Sequence, residues 1–190
     1  QHGLDRPLGV QYPDWLRGIA RGDFGDSLYF RVDVLRLIQD KLPTTALLAV
    51  LSLGFALALS IPLGVLAAVR PNSWVDRLSL SIAVVGQALP SFFFALLLVL
   101  LFAVLLPILP VSGSGTWQSF VLPSAALGYY ATPAFMRLVR AGMVEVLAAD
   151  YIRTARANGL SQARILFRHA LRNALVPIVA LAAVQLGFLL

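Results

Sequence analysis

The 28 residues LPTTALLAVLSLGFALALSIPLGVLAAV, Leu42–Val69, contain no charged side chain. A helix needs only about 20 apolar residues to cross the hydrocarbon of a bilayer, so this run reads as one long or tilted span. Downstream, the 59 residues from Leu78 to Met136 also lack any charge. That length exceeds one crossing and requires a turn within it. Across the 190 residues, hydrophobic side chains make up 59% and charged ones 13%, with a mean hydropathy of +0.82. A soluble domain carries about twice that share of charge. The expected fold class is all-α, a polytopic transmembrane helical bundle.

Working outward from Leu42–Val69, four spans are expected, over 43–69, 78–106, 120–139 and 173–190. Pro43 suits the first turn of a helix, where its missing N–H costs nothing, and Pro62 should kink the span it lies in. Arg70-Pro-Asn-Ser-Trp-Val-Asp-Arg77 is a tight polar connection, and Pro107–Gln118 an uncharged loop with Gly113 and Gly115. Pro90 precedes the Phe92-Phe93-Phe94 cluster of the second span, while Pro123 and Pro133 interrupt the third. Residues 1–41 hold six basic and six acidic side chains and form a separate extracytoplasmic segment, with short helices around Gln11–Arg21 and Val32–Lys41. The opening is not a signal peptide, the fourth span is barely long enough, and the chain reads as an excerpt with a further span beyond Leu190.

Parity puts segment 1–41 and loop 107–118 on one face, and loops 70–77 and 137–172 on the other. The second face carries Arg70, Arg77, Arg137, Arg140, Arg153, Arg156, Arg164, Arg168 and Arg172. Basic residues favour the cytoplasmic side, so that face is expected inside. The other face also holds six basic residues within 1–41, three of them close to the first span.

The connection 140–172 is far longer than a hairpin and reads as two short helices. Asp150 can cap the first, accepting a backbone N–H and favouring the positive end of its dipole. Gly159 is placed to end it in the left-handed conformation. Tyr151, Ala155 and Asn158 line one flank and Arg153 and Arg156 another. Ser161 can cap the second helix, in which Arg164, Arg168 and Arg172 recur every four residues as one stripe. One reading is that these arginines only set topology and reach lipid phosphates. The paired caps, the small residues and the length of the segment point instead to a short helix that docks in the groove of a soluble protein.

Tyr151-Ile-Arg-Thr-Ala-Arg-Ala-Asn-Gly-Leu-Ser161, followed by Arg168-His-Ala-Leu-Arg-Asn-Ala-Leu-Val-Pro177, resembles the cytoplasmic "EAA" loop of binding-protein-dependent ABC importer permeases. The general pattern is Glu-Ala-Ala, three residues, then Gly, and ends on Ile-x-Leu-Pro. Counting back from Gly159, Arg153-Thr154-Ala155 falls on Glu-Ala-Ala, so only Ala155 and Gly159 match, and Arg172 stands where the pattern has Pro. The dipeptide/oligopeptide/nickel branch shows the same departure. Gly3-Leu-Asp-Arg-Pro7, Gly22-Asp-Phe-Gly25 with Ser27, Ile61-Pro-Leu-Gly64 and Pro110-Val-Ser-Gly113 are also similar to that branch.

The resemblance implies a type I-like permease in which the 150–159 helix seats in a cytoplasmic ATPase. Its coupling residues would be Asp150, Tyr151, Arg153, Thr154, Ala155, Arg156, Asn158 and Gly159. It implies six spans per subunit, of which this chain would hold the second to fourth and most of the fifth. It also implies a second permease subunit, identical or paralogous, and an extracytoplasmic solute-binding protein. The setting would be a bacterial or archaeal cytoplasmic membrane, multi-pass, and the cargo peptides or similar small solutes, nickel chelates among them.

The sequence contains no Gly-x4-Gly-Lys-Ser/Thr loop, and Lys41 is its only lysine. ATP and Mg are therefore expected on a partner ATPase, with no cofactor, metal or catalytic residue on this chain and no nucleic-acid partner. His2 and His169 are the only histidines and cysteine is absent. His169 reads as an interfacial packing residue, and Ser112-Gly-Ser-Gly115 as a flexible turn. Gln87, Ser91, Tyr129, Tyr130, Thr132 and Gln185 are polar positions within the expected spans. They are candidates for lining a transport pathway, though buried polar groups in membranes also join helices to one another. A secondary transporter or channel, with the basic loop as a topological anchor, is the alternative; it calls for charged groups inside the spans, where none stands.

Overall fold

The computed structural model of the chain describes residues 7–113 and 115–190, the side chains of Gly86 and Gln87 excepted. The Gly3–Pro7 tag, apart from Pro7, together with His2 and Ser114, lies outside the described residues. Helices dominate, and no β-strand occurs among the described residues. Two compact units divide between Thr45 and Ala46.

In the first unit, α1 (Leu8–Ala20) ends in a Schellman turn. Gly22, at φ 84°, donates its N–H to the Ile19 carbonyl, and Asp23 donates to that of Gly18. This left-handed position requires a residue without a Cβ penalty. An isolated bridge joins Asp26 to Asp33, and Asp33 Oδ1 then accepts the Leu35 N–H at 2.7 Å. That bond opens α2 (Val34–Val69) ahead of the expected start at 43. The short helix expected over Val32–Lys41 is its first part, and Pro43 lies inside rather than on the first turn. At 36 residues, α2 is about 54 Å long. It is the one described helix that alone is long and apolar enough to cross a membrane.

In the second unit the span expected over 78–106 is broken. Helix α3 (Trp74–Ala88) stops at Leu89, whose ψ of 140° is extended, because the ring of Pro90 disfavours helical geometry in the residue before it. Helix α4 (Ser91–Val99) follows and widens into a π-helical turn over Leu100–Leu105. After a 3₁₀ turn at Trp117–Phe120, α5 (Val121–Ala148) runs for 28 residues without interruption. It corrects the expected breaks, and the helix continues beyond the expected span end at 139. Pro123 sits in the first turn, where no donor is needed, and the apolar positions continue through Met143 and Leu147.

Beyond α5 come α6 (Asp150–Ala157), α7 (Gln162–Arg164), a π-helical segment over Ile165–Ala170, α8 (Leu171–Ala174) and α9 (Val176–Leu189). The span expected over 173–190 is bent: Gln162–Ala174 and Val176–Leu189 meet at 50°, two residues ahead of Pro177. Counting that pair as one crossing, the described helices supply up to two of the four expected spans by length and composition.

Helix α5 is central. Phe135, Val139 and Met143 are fully buried and share a core with Ala56, Val65 and Ala68 of α2 and with Ala170, Ala174 and Ile178. Close approach to α2 depends on small residues. A Cβ on Gly64 would lie 2.6 Å from that of Val139, and one on Gly128 would collide with the Ser52 carbonyl oxygen and the Phe55 ring. Ser52, Ala56, Ser60, Gly64 and Ala68 recur every four residues along α2, the spacing that keeps one helix face in register. The Ser52 hydroxyl bonds back to the Leu48 carbonyl at 2.7 Å, so its burial leaves no polar group unsatisfied.

Candidate functional site

Helix α6 is the candidate site. The break that creates it falls at Ala149, whose ψ is 149°. Asp150 is therefore the first helical residue rather than the cap, and its side chain makes no capping bond. Its carboxylate instead meets Arg153 Nη1 at 3.1 Å. The acidic group still stands at the positive end of the helix dipole, where it is favourable. Eight residues give a rod about 12 Å long. At the far end Gly159, at φ 75°, donates to the Arg156 carbonyl, and Leu160 donates to that of Ala155. This is a complete Schellman closure, as Gly159 leads one to expect. Ser161 does occupy the cap position before α7, but its hydroxyl makes no capping bond.

One large apolar side chain holds α6 to the rest. Ile152 is 0% exposed, and α6 packs on α5 and on the π-helical segment. Ala155 and Leu160 are half-buried, whereas Arg153, Thr154, Arg156, Ala157, Asn158 and Gly159 are exposed. Tyr151 is tied at its phenol oxygen, which accepts from Asn173 Nδ2 at 2.9 Å. The flank assigned to Tyr151, Ala155 and Asn158 is therefore divided: Ala155 is partly covered and the other two are open. Ile152 and Asn173 escaped the sequence reading. Ile152 was discoverable as the one branched aliphatic residue in an otherwise polar and small-residue helix. A π-helical segment, Ile165–Ala170, lies between Arg164 and Arg172, where the expected stripe assumes an α-helical step.

A second constellation, unforeseen, braces α5 just before α6. Arg140 grips Asp76 with two parallel hydrogen bonds, Nε to Oδ1 at 2.7 Å and Nη2 to Oδ2 at 2.6 Å. Asp76 is only 2% exposed and also accepts the Asn72 N–H at 2.8 Å. Ser73 caps α3 by accepting the Asp76 N–H. The bonds from Arg140 hold the Asp76 carboxyl below its ordinary value, against the opposing effect of burial. A bidentate carboxylate–guanidinium pair fixes orientation as well as distance.

Residues 60–190, which include α3, α5, α6 and this brace, match the family of binding-protein-dependent transport system inner membrane components. The chain belongs to that family. Over all 190 residues the chain is 40% identical to the glutathione transport system permease protein GsiC of Salmonella typhimurium. It has the same identity to the GsiC proteins of Escherichia coli K12 and Shigella dysenteriae serotype 1. The chain spans 62% of the length of each of these relatives.

The other polar positions of the chain fall into separate environments. Tyr129 donates its hydroxyl to the Ile82 carbonyl at 2.5 Å and stacks on Phe94 at 4.8 Å, so it joins α5 to both α3 and α4. Ser91 borders an open groove between α4 and α5, together with Phe92, Ala95 and Pro123. Tyr130 is exposed and Gln185 half-buried, while Thr132 is buried and bonds to the Gly128 carbonyl at 3.0 Å. The Gln87 side chain lies outside the described residues. Tyr129 and Ser91 thus stand along the same pair of helices, and Tyr129 has a structural bond of its own.

Proposed function

We propose that this permease is the membrane-spanning subunit of an ATP-binding cassette importer, a transport subunit rather than an enzyme. The single observation that carries the proposal is α6. It is a short helix closed at its C-terminal end and pinned by Ile152, with Arg153, Thr154, Arg156 and Ala157 presented outward. A rigid peg of this kind transmits displacement: motion of whatever holds α6 reaches α5 through Ile152, and α5 is packed against α2, α3, α4 and α9. The occupant is a cytoplasmic ATPase that binds ATP and Mg. A second permease subunit, identical or paralogous, encloses the path, and a solute-binding protein feeds the opposite face. The chain is multi-pass, with loops 70–77 and 140–172 inside. The relatives named for glutathione transport favour a short peptide as cargo.

A single cysteine at Ala157, in a chain that has none of its own, tests the docking. Cross-linking in native membranes is expected to capture a soluble protein bearing a phosphate-binding loop. Self-adducts alone, from well-expressed protein, would transfer the assignment to a secondary transporter or channel. Gly159→Pro replaces a φ of 75° with one locked near −65°, which breaks the closing turn. It is expected to leave ATP hydrolysis running while transport falls at least tenfold. Unimpaired transport by this variant would remove α6 from the coupling route.

A further inference from the structure

Arg168 and Arg172 belong to neither the brace nor the peg. At the junction where the π-helical segment meets α8, Phe167, Arg168, Leu171, Arg172 and Leu175 border an open groove of about 460 Å³. Arg168 and Arg172 stand four positions apart. Neither forms an ion pair with a carboxylate among the described residues. Their neighbours are apolar: Phe167 is 66% exposed, and Leu171 and Leu175 are half-buried. The groove ends at the 50° bend, beyond which no charged residue occurs from Asn173 to Leu190. On the first turn past the bend, Val176 and Val179 are 70% and 67% exposed.

Paired cations, then apolar groove walls, then an exposed apolar helix form the sequence of environments that an anionic amphiphile offers in reverse. We infer that this groove binds an anionic phospholipid, with its phosphate between Arg168 and Arg172 and its acyl chains along Phe167, Leu175 and Val176. An acidic protein surface would satisfy the two guanidinium groups but would leave Phe167 and Val176 uncovered. A zwitterionic lipid would bring its own cation to the same place. Planar guanidinium groups suit phosphate oxygens, and basic residues at the cytoplasmic surface attract anionic lipids. The bend at Leu175 is where such a lipid would act, holding α8 and α9 at their mutual angle. The inference rests on the membrane setting of the family and not on the ATPase docking of α6.

Native mass spectrometry of the full-length permease, titrated with phosphatidylglycerol or phosphatidylcholine, tests it. The wild type is expected to retain phosphatidylglycerol preferentially. Arg168→Gln/Arg172→Gln should lower that retention by about tenfold, while Arg164→Gln, outside the groove, should not. Arg168→Lys/Arg172→Lys should keep most of it. Equal retention by the wild type and the Gln pair would overturn the inference, as would complete displacement of the lipid by inorganic phosphate alone. Should the Gln pair fail to fold, a photoreactive benzophenone side chain at Phe167 decides the matter. A phospholipid adduct supports the assignment, and an adduct with an ATPase or a second permease subunit overturns it. The Ala157 cross-link reads the coupling proposal independently, so either can fail alone.

Discussion

Asp76 and Arg140 stand 64 positions apart and, read along the chain, each is merely one charge near the end of a span. Folded, they form a pair with the carboxylate side chain 3% exposed and the guanidinium side chain 27% exposed. Removing the cation alone leaves a buried carboxylate uncompensated, so Arg140→Gln is expected to destabilise by about 3 kcal/mol. Asp76→Asn/Arg140→Gln should recover much of that loss, and a double-mutant cycle on thermal unfolding in detergent measures the coupling. Additive single effects would dissolve the brace. The pH dependence has a definite sign. A folded carboxyl held below its ordinary value of 3.8 contributes stability that is present in full above that value. The contribution is lost as pH falls through the lower, folded value. Between about pH 5 and 7 it is constant, and the wild type should lose more stability than Asp76→Asn on acidification below pH 4. None of this was legible in the sequence, because an ion pair across two helices leaves no local pattern.

Helix ends were more readable than helix starts. Gly159 was expected to close α6 and does so at φ 75°, because a left-handed turn after a helix is a local preference that glycine alone satisfies cheaply. Asp150 was expected to cap α6 and does not, because the actual break, at Ala149, depends on how α5 ends. The glycines within helices divide on tertiary grounds that composition cannot show. Gly128 faces the Ser52 carbonyl oxygen and the Phe55 ring, whereas nothing lies within 4 Å of a Cβ on Gly54. Gly128→Ala must push α2 from α5 and should cost about 2 kcal/mol, as overpacking of a close contact does. Gly54→Ala should be neutral or gain up to about 1 kcal/mol from helix propensity. Melting temperatures of the two variants, compared under one condition, check this; equal shifts would mean that α2 and α5 are not in register at Ser52.

At the scale of the whole molecule, the arrangement of loops makes a topological prediction. Single cysteines at Trp74 and Ser112, both exposed, should react with an impermeant maleimide from opposite sides of the membrane, Trp74 from the cytoplasm. Labelling of both from one side would overturn the parity of the spans. That parity was drawn from uninterrupted runs of uncharged residues, and the folded chain divides those runs more finely. Leu89 breaks one ahead of Pro90, Leu175 bends another ahead of Pro177, and α5 passes its prolines without interruption. All-helical class, bilayer-compatible hydropathy, the position of the short helix α6 and its closing glycine follow from composition and short-range pattern. Those properties depend on residues within a turn or two of each other. The Asp76–Arg140 brace, the burial of Ile152, the contact of Gly64 with Val139 and the groove at Arg168 and Arg172 depend instead on which helices pack together. That choice is set by shape and charge complementarity between segments far apart in the chain, and only the folded structure brings them together.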